Sequence, residues 1–141
     1  MKTHQTKLKE VQRQWHLIDA QDKILGKVAT RAAFLLQGKH KANFVPYLDN
    51  GDYVVIINAV QVVVSGKKEQ AKMYYTYSGY PSGLKAKNLA ALRSQEPQKI
   101  IIQAVKGMLP KSRLGRAMLK KLYVYAKFHD FKNKTVNIIE T

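Results

Sequence analysis

"DNGDYVVIINA", Asp49 to Ala59, decides the fold class of this chain. Asp-Asn-Gly-Asp is turn chemistry, because Gly tolerates unusual backbone angles and short Asx side chains hydrogen-bond their own backbone. The residues that follow, Tyr53 to Ala59, are almost wholly apolar and lack the in-out alternation of a strand with one wet face. Such a run reads as a strand buried on both faces, the usual state in a parallel sheet. Upstream, "WHLIDA", Trp15 to Ala20, is a second short apolar run and ends in a turn at Gln21, Asp22 and Lys23. Between the two runs, "LGKVATRAAFLLQGKHK" places Val28, Ala32, Leu35 and Leu36 at i, i+4, i+7 and i+8, which predicts an amphipathic helix stopped at Gly38. Its basic end is Lys39, His40 and Lys41.

Downstream the elements keep alternating. "QVVVSGKK", Gln61 to Lys68, predicts a short strand closed by a Gly turn, and "KMYYTYSGYPSG", Lys72 to Gly83, starts as a strand and becomes a loop. "NLAALRSQ", Asn88 to Gln95, reads as a short helix. In "EPQKIIIQAVKGML" Pro97 suits a first helical turn, and Ile100, Ala104, Val105 and Met108 form one apolar stripe. Ser112 can cap a further helix with Leu114, Met118 and Leu122 on one stripe and Arg113, Arg116 and Lys120 on another. "LYVYA", Leu122 to Ala126, predicts a strand, followed by a basic loop over 127–134 and a short tail, "TVNII". Strands alternating with helices imply an α/β domain with a small, mainly parallel sheet covered by helices. We divide the chain into an extended basic arm, 1–14, one α/β domain, 15–126, and a basic C-terminal extension, 127–141.

The charge balance is the anomaly. Lys and Arg number 25 against 9 Asp and Glu, for a net charge of +16 over 141 residues. Self-repulsion on that scale calls for a polyanionic partner, since solubility needs far less. The excess is uneven: residues 15–66 carry only +1, whereas 106–134 carry +8. Val105 to Ala126 holds Lys106, Lys111, Arg113, Arg116, Lys120 and Lys121 without one carboxylate, and a merely solvated face would interleave acids.

Other chemistries lack their residues. With no cysteine there is no disulfide framework, thiolate nucleophile or Cys zinc site, which fits a reducing compartment. The N-terminus has no apolar leader core and no apolar run nears the ~18 residues of a membrane span. "DKILGKVAT" has one glycine where a dinucleotide-binding turn needs three, and no phosphate-loop signature occurs. His4, His16, His40 and His129 form no metal-binding pair along the chain and read as single solvent or core histidines. Asp49 and Asp52 read as turn residues rather than an acid/base pair. Cofactor, metal and small-molecule substrate are therefore expected to be absent. Lys39, His40 and Lys41, then Lys67 and Lys68, then the 106–121 segment are candidates for phosphate contacts, with arginine adding a planar fork. Tyr74, Tyr75, Tyr77 and Tyr80 could stack on unpaired bases, although tyrosines in a strand are more often packing.

"VKGMLPKSRLGRAMLKKLYVYA" resembles the signature segment of the bacterial-type large-subunit ribosomal protein L-thirteen family. "MKT" at the start, "W" then "IDA" at 15–20, "LGKVAT" at 25–30, "GKHKANFVPYLDNGDYVVIINA" at 38–59 and "YYTYSGYPSG" at 74–83 follow that family's order and spacing. The resemblance implies a three-layer α/β/α domain that binds large-subunit ribosomal RNA and neighbouring ribosomal proteins in the cytoplasm or an organelle, supports subunit assembly, and catalyses nothing. It implies RNA contacts at Lys39, His40 and Lys41, in the loop with Ser78, Gly79 and Tyr80, and at Lys106, Lys111, Arg113, Arg116, Lys120 and Lys121. The chain departs from the family at Tyr77 and Tyr80, where relatives usually carry histidines, and in the tail 127–141, so contacts there are not carried over. Two other classes would share a basic surface: an RNA-processing enzyme, which would show turnover, and a DNA-compacting module, which would bind duplex DNA as well as folded RNA.

Overall fold

The computed structural model describes residues 6–128 and 136–139, so 1–5 of the expected arm and 129–134 of the expected basic loop lie outside the described residues. β1 (Trp15–Asp19), β2 (Tyr53–Ile57), β5 (Leu122–Val124) and β6 (Val136–Ile139) form one sheet in the order β5-β2-β1-β6, every pair parallel. Val54, Val55, Ile56 and Ile57 are all buried, as the unbroken apolar run requires. Trp15 lies opposite Tyr53 and Ile18 opposite Ile56. A slip of one residue would turn Ile18 out of the core, so the apolar pattern pins this register. The mixed α/β domain with a small parallel sheet is the one expected.

α1 (Leu25–Gln37) links β1 to β2 and buries Val28, Ala32, Leu35 and Leu36, the stripe read from the spacing. It ends where Gly38 adopts φ 77°, with the Gly38 N–H donating to Leu35 and the Lys39 N–H to Phe34, the paired bonds of a Schellman stop. α3 (Leu89–Gln95) is capped by Asn88, whose side chain accepts from the Ala91 N–H at 2.9 Å. α4 (Pro97–Met108) starts on its proline and buries Ile100, Ile101 and Val105 against α1 and the sheet. α5 (Arg113–Leu119) begins as expected at Ser112, which accepts from the Gly115 N–H at 3.3 Å. Ile18 and Ile56 meet α1 and α4 in one apolar cluster, where each large side chain contributes about 1.5–3 kcal/mol by burial. On the other sheet face Trp15 stacks on Tyr53 at 4.5 Å and leans on Tyr123 at 5.6 Å.

Several expectations are corrected. Gln61 to Lys68 is no strand: a 3-10 turn, Ala59–Gln61, leads to a single bridge between Val63 and Ile24, and α2 (Lys68–Ala71) follows. The carbonyls of Val60 and Val62 are taken instead by the Arg93 guanidinium, at 2.8 and 2.7 Å, which is itself paired with Glu69. The unexpected strand β4 (Leu84–Asn88) pairs antiparallel with β3 (Met73–Tyr77), Tyr75 facing Ala86. Met108, assigned to the apolar stripe, is 41% exposed: it occupies the last turn of α4, where it meets α1 through polar contacts, its sulfur 3.6 Å from the Thr30 hydroxyl and its carbonyl accepting from the Gln37 amide at 3.3 Å. The "TVNII" segment, read as a tail, contributes edge strand β6.

Candidate nucleic-acid interface

Helix α4 presents Gln103 and Gly107 to solvent, and a concavity opens on each side of them. One, of about 540 Å³, lies between α4 and α5 and is rimmed by Lys106, Lys111 and Arg116. The other, of about 750 Å³, lies towards α1 and α2 and is rimmed by Lys67, Lys68 and Lys72. Gln103 and Gly107 line both, so the two form one groove across the outer face of α4. Six cations and no carboxylate line it. The local reasons are plain: Pro110 and the Ser112 cap turn the chain from α4 into α5, and Gly66 at φ 67° turns it into α2. Five of the sequence-predicted bases, Lys67, Lys68, Lys106, Lys111 and Arg116, are thus brought together. Arg113 at the start of α5 and Lys120 just past its end are exposed but do not line the groove.

The remaining candidates have other partners. Asp52 is fully buried at the start of β2, and one of its carboxylate oxygens accepts from Lys41 Nζ at 2.5 Å and from the Gln14 N–H at 3.0 Å. The other oxygen faces His16 Nε2 at 2.8 Å and His40 Nε2 at 2.9 Å. Lys41 Nζ also donates to the carbonyls of Gln12, at 2.6 Å, and Asn50, at 2.9 Å, which uses its three hydrogens. Lys121, only 6% exposed, donates to Asp49 at 2.5 Å and to the Gly51 carbonyl at 2.8 Å. The ammonium groups of Lys41 and Lys121 therefore hold the 49–52 turn onto the domain. Lys39, next to them, is exposed.

Burial would raise the Asp52 carboxyl, but the hydrogen bonds from His16, Lys41 and Gln14 outweigh it and hold it well below the usual carboxylate range. Burial pushes the His40 imidazole below its ordinary value against the pull of Asp52, and pushes the Lys121 ammonium down against the pull of Asp49. Two of the four histidines are not isolated, which corrects the sequence reading for them: His16 and His40 lie 36 and 12 residues from Asp52 in sequence, and only the fold joins them, while His4 and His129 lie outside the described residues. Among the described residues His16, His40 and Asp52 are the set able to offer a metal three ligand atoms, all within 4.8 Å of one another. Lys41 places a positive charge on that same carboxylate, which opposes a divalent cation there. Asp52 is the residue that sequence reasoning undervalued as a turn former.

The β3–β4 hairpin carries the third group. Tyr74 packs against the core, with the Lys72 ammonium 5.4 Å from its ring centre, and burial raises its phenol. Tyr75, Tyr77 and Tyr80 are exposed, so the expectation that strand tyrosines pack applies to Tyr74 alone. Ser78 and Gly79 sit at the hairpin tip, Gly79 at φ 89°. From Gln70 to Gln95 there is no acidic residue, while Lys72, Lys85, Lys87 and Arg93 are basic.

Among the described residues no helix is long and apolar enough to cross a membrane. A family model described as Ribosomal protein L13 matches residues 13–130. The chain is 52% identical over 126 residues to the large ribosomal subunit protein uL13 of Halorhodospira halophila, and 53% identical over 126 residues to that of Alcanivorax borkumensis, in each case across 89% of both chains. It is 50% identical to the uL13 of Roseiflexus sp., across 89% of this chain and 86% of that one.

Proposed function

Because the chain belongs to the ribosomal protein L13 family, we propose that it binds and braces large-subunit ribosomal RNA and so supports assembly of that subunit and translation. The family's role is that of a structural, non-enzymatic constituent of the large ribosomal subunit. The observation that carries the finer reading is the groove across α4, walled by six cations without a carboxylate. Phosphates entering it would release counterions and relieve the repulsion that a net charge of +16 imposes on the free chain. In this reading Lys67, Lys68, Lys106, Lys111 and Arg116 contact RNA in the groove. Lys39, Arg113, Lys120 and the Ser78, Gly79 and Tyr80 tip extend the contact. His40, Lys41 and Lys121 act indirectly, by fixing the surface that Lys39 occupies. Neighbouring ribosomal proteins are its protein partners, the cytoplasmic ribosome its location, and 1–14, 15–126 and 127–141 its arm, domain and extension.

Tagged chain expressed in a bacterium is expected to sediment with the large subunit and to stay there through a moderate-salt wash. Recovery in the soluble fraction, or equal recovery with the small subunit, would contradict the proposal.

A further inference from the structure

Most glycines of this chain have an internal reason to be glycine. Gly38, Gly66 and Gly79 have positive φ, and a Cβ on Gly51, Gly83 or Gly115 would stand within 2.1 Å of a neighbouring atom. Two have no such reason: at Gly26 and Gly107 an added Cβ would meet nothing within 4 Å, and neither has a positive φ. Both lie in helices, Gly26 in the first turn of α1 and Gly107 in the last turn of α4, where Ala would suit the backbone better. Both also line the same cavity, the α1 side of the cationic groove, and Gly107 continues into the other half. The fold thus forgoes helix stability at two places that share one surface.

We propose that Gly26 and Gly107 form a bare floor on which the sugar–phosphate backbone of RNA lies in direct contact with the helix backbones, held from the sides by Lys72 together with Lys67, Lys68, Lys106, Lys111 and Arg116. The inference rests on the RNA-binding reading and adds where the strand runs and why the groove is floored with glycine. The chemistry follows from the walls. Ammonium and guanidinium groups on both rims suit a polyanion whose charges repeat along its length, and the missing Cβ atoms let its backbone sit deep enough to meet both rims. Gln103, shared by the two halves, can hydrogen-bond a phosphate or a ribose hydroxyl at the crossing point. An acidic protein segment is the competing occupant, and the test below separates the two.

The experiment compares the full chain with its Gly26→Ala, Gly107→Ala and Gly107→Gln variants, reading the unfolding temperature, the affinity for large-subunit ribosomal RNA at fixed salt, and co-sedimentation with the large subunit. The unfolding temperature is expected to hold or to rise by about 1–4 °C, as for Gly replaced in a permissive helix. RNA affinity is expected to fall in the same variants, by about tenfold for Gly107→Ala, the loss of one charge-assisted contact, and further for the longer Gln. Opposite signs for stability and binding are the signature. Unchanged RNA affinity in all three variants, with the parent binding normally, would overturn the groove floor and leave the RNA reading standing. A parent that does not bind ribosomal RNA would overturn both. A lower unfolding temperature would show that the fold needs these glycines, and unchanged RNA affinity with impaired entry into the subunit would show that the occupant is a protein; either result overturns the inference.

Discussion

Replacing Asp52 by Ala is expected to destabilise the fold by about 3–5 kcal/mol, the range for removing one partner of a buried charge pair. The Asp52 carboxylate is fully buried and is met by Lys41, His16, His40 and the Gln14 N–H, so its loss strands four donors drawn from three parts of the chain. For a domain of this size that corresponds to a fall in unfolding temperature of roughly 10–15 °C. The same residue shapes the acid limb of stability. Its folded carboxyl is held below the unfolded value, so its contribution is complete above the ordinary carboxylate range and is lost as pH falls below about 4. Thermal melts of parent and variant, from neutral pH down to acid, check both points. A drop under about 3 °C would mean that the hub is not holding the turn.

The second large effect is on binding. Lys106, Lys111 and Arg116 rim one half of the groove and are exposed, so replacing all three by Gln removes charge without opening the core. If each meets a phosphate, ribosomal RNA affinity should fall by about two orders of magnitude near 0.1 M salt, and the log–log salt slope should become shallower by roughly two to three. The unfolding temperature should stay within about 2 °C of the parent, because no buried partner is stranded. Lys121→Gln provides the contrast. Its ammonium is bound to Asp49 and Gly51, so the variant should lose stability first and RNA affinity only as a consequence. Titrations of a fluorescent ribosomal RNA fragment, with melts of the same preparations, separate the two behaviours.

Local rules recovered what is locally determined. The α1 stripe, the Gly38 stop, the Ser112 cap and the both-sides-buried β2 each follow from residues within a few positions of one another. β4 escaped because "LKAKN" has no strand preference of its own; it is a strand because β3 pairs with it. Gln61 to Lys68 misled for the opposite reason: three valines look like a strand, but Arg93, distant in sequence, takes the Val62 carbonyl, and of the three only Val63 finds backbone partners, at Lys23 and Leu25. The candidate interface divides in the same way. Net charge and the absence of acids over 105–126 marked the region, while the sorting of Lys106, Lys111 and Arg116 into a groove and of Lys121 into the interior depends on helix packing. Nothing in the local pattern distinguishes Lys120, exposed, from Lys121, buried. Asp52 looked like one more turn residue because its partners come from the arm, from β1 and from the segment after α1.

A chain that holds ribosomal RNA by neutralising its phosphates must release counterions on binding, so its affinity must depend steeply on salt. Affinity for large-subunit ribosomal RNA should be measured between 50 and 200 mM monovalent salt, with duplex DNA as competitor. Six groove cations engaged on phosphate predict a fall of about a thousandfold over that range, with RNA preferred throughout. An affinity that barely changes with salt, or equal binding of duplex DNA, would contradict the account.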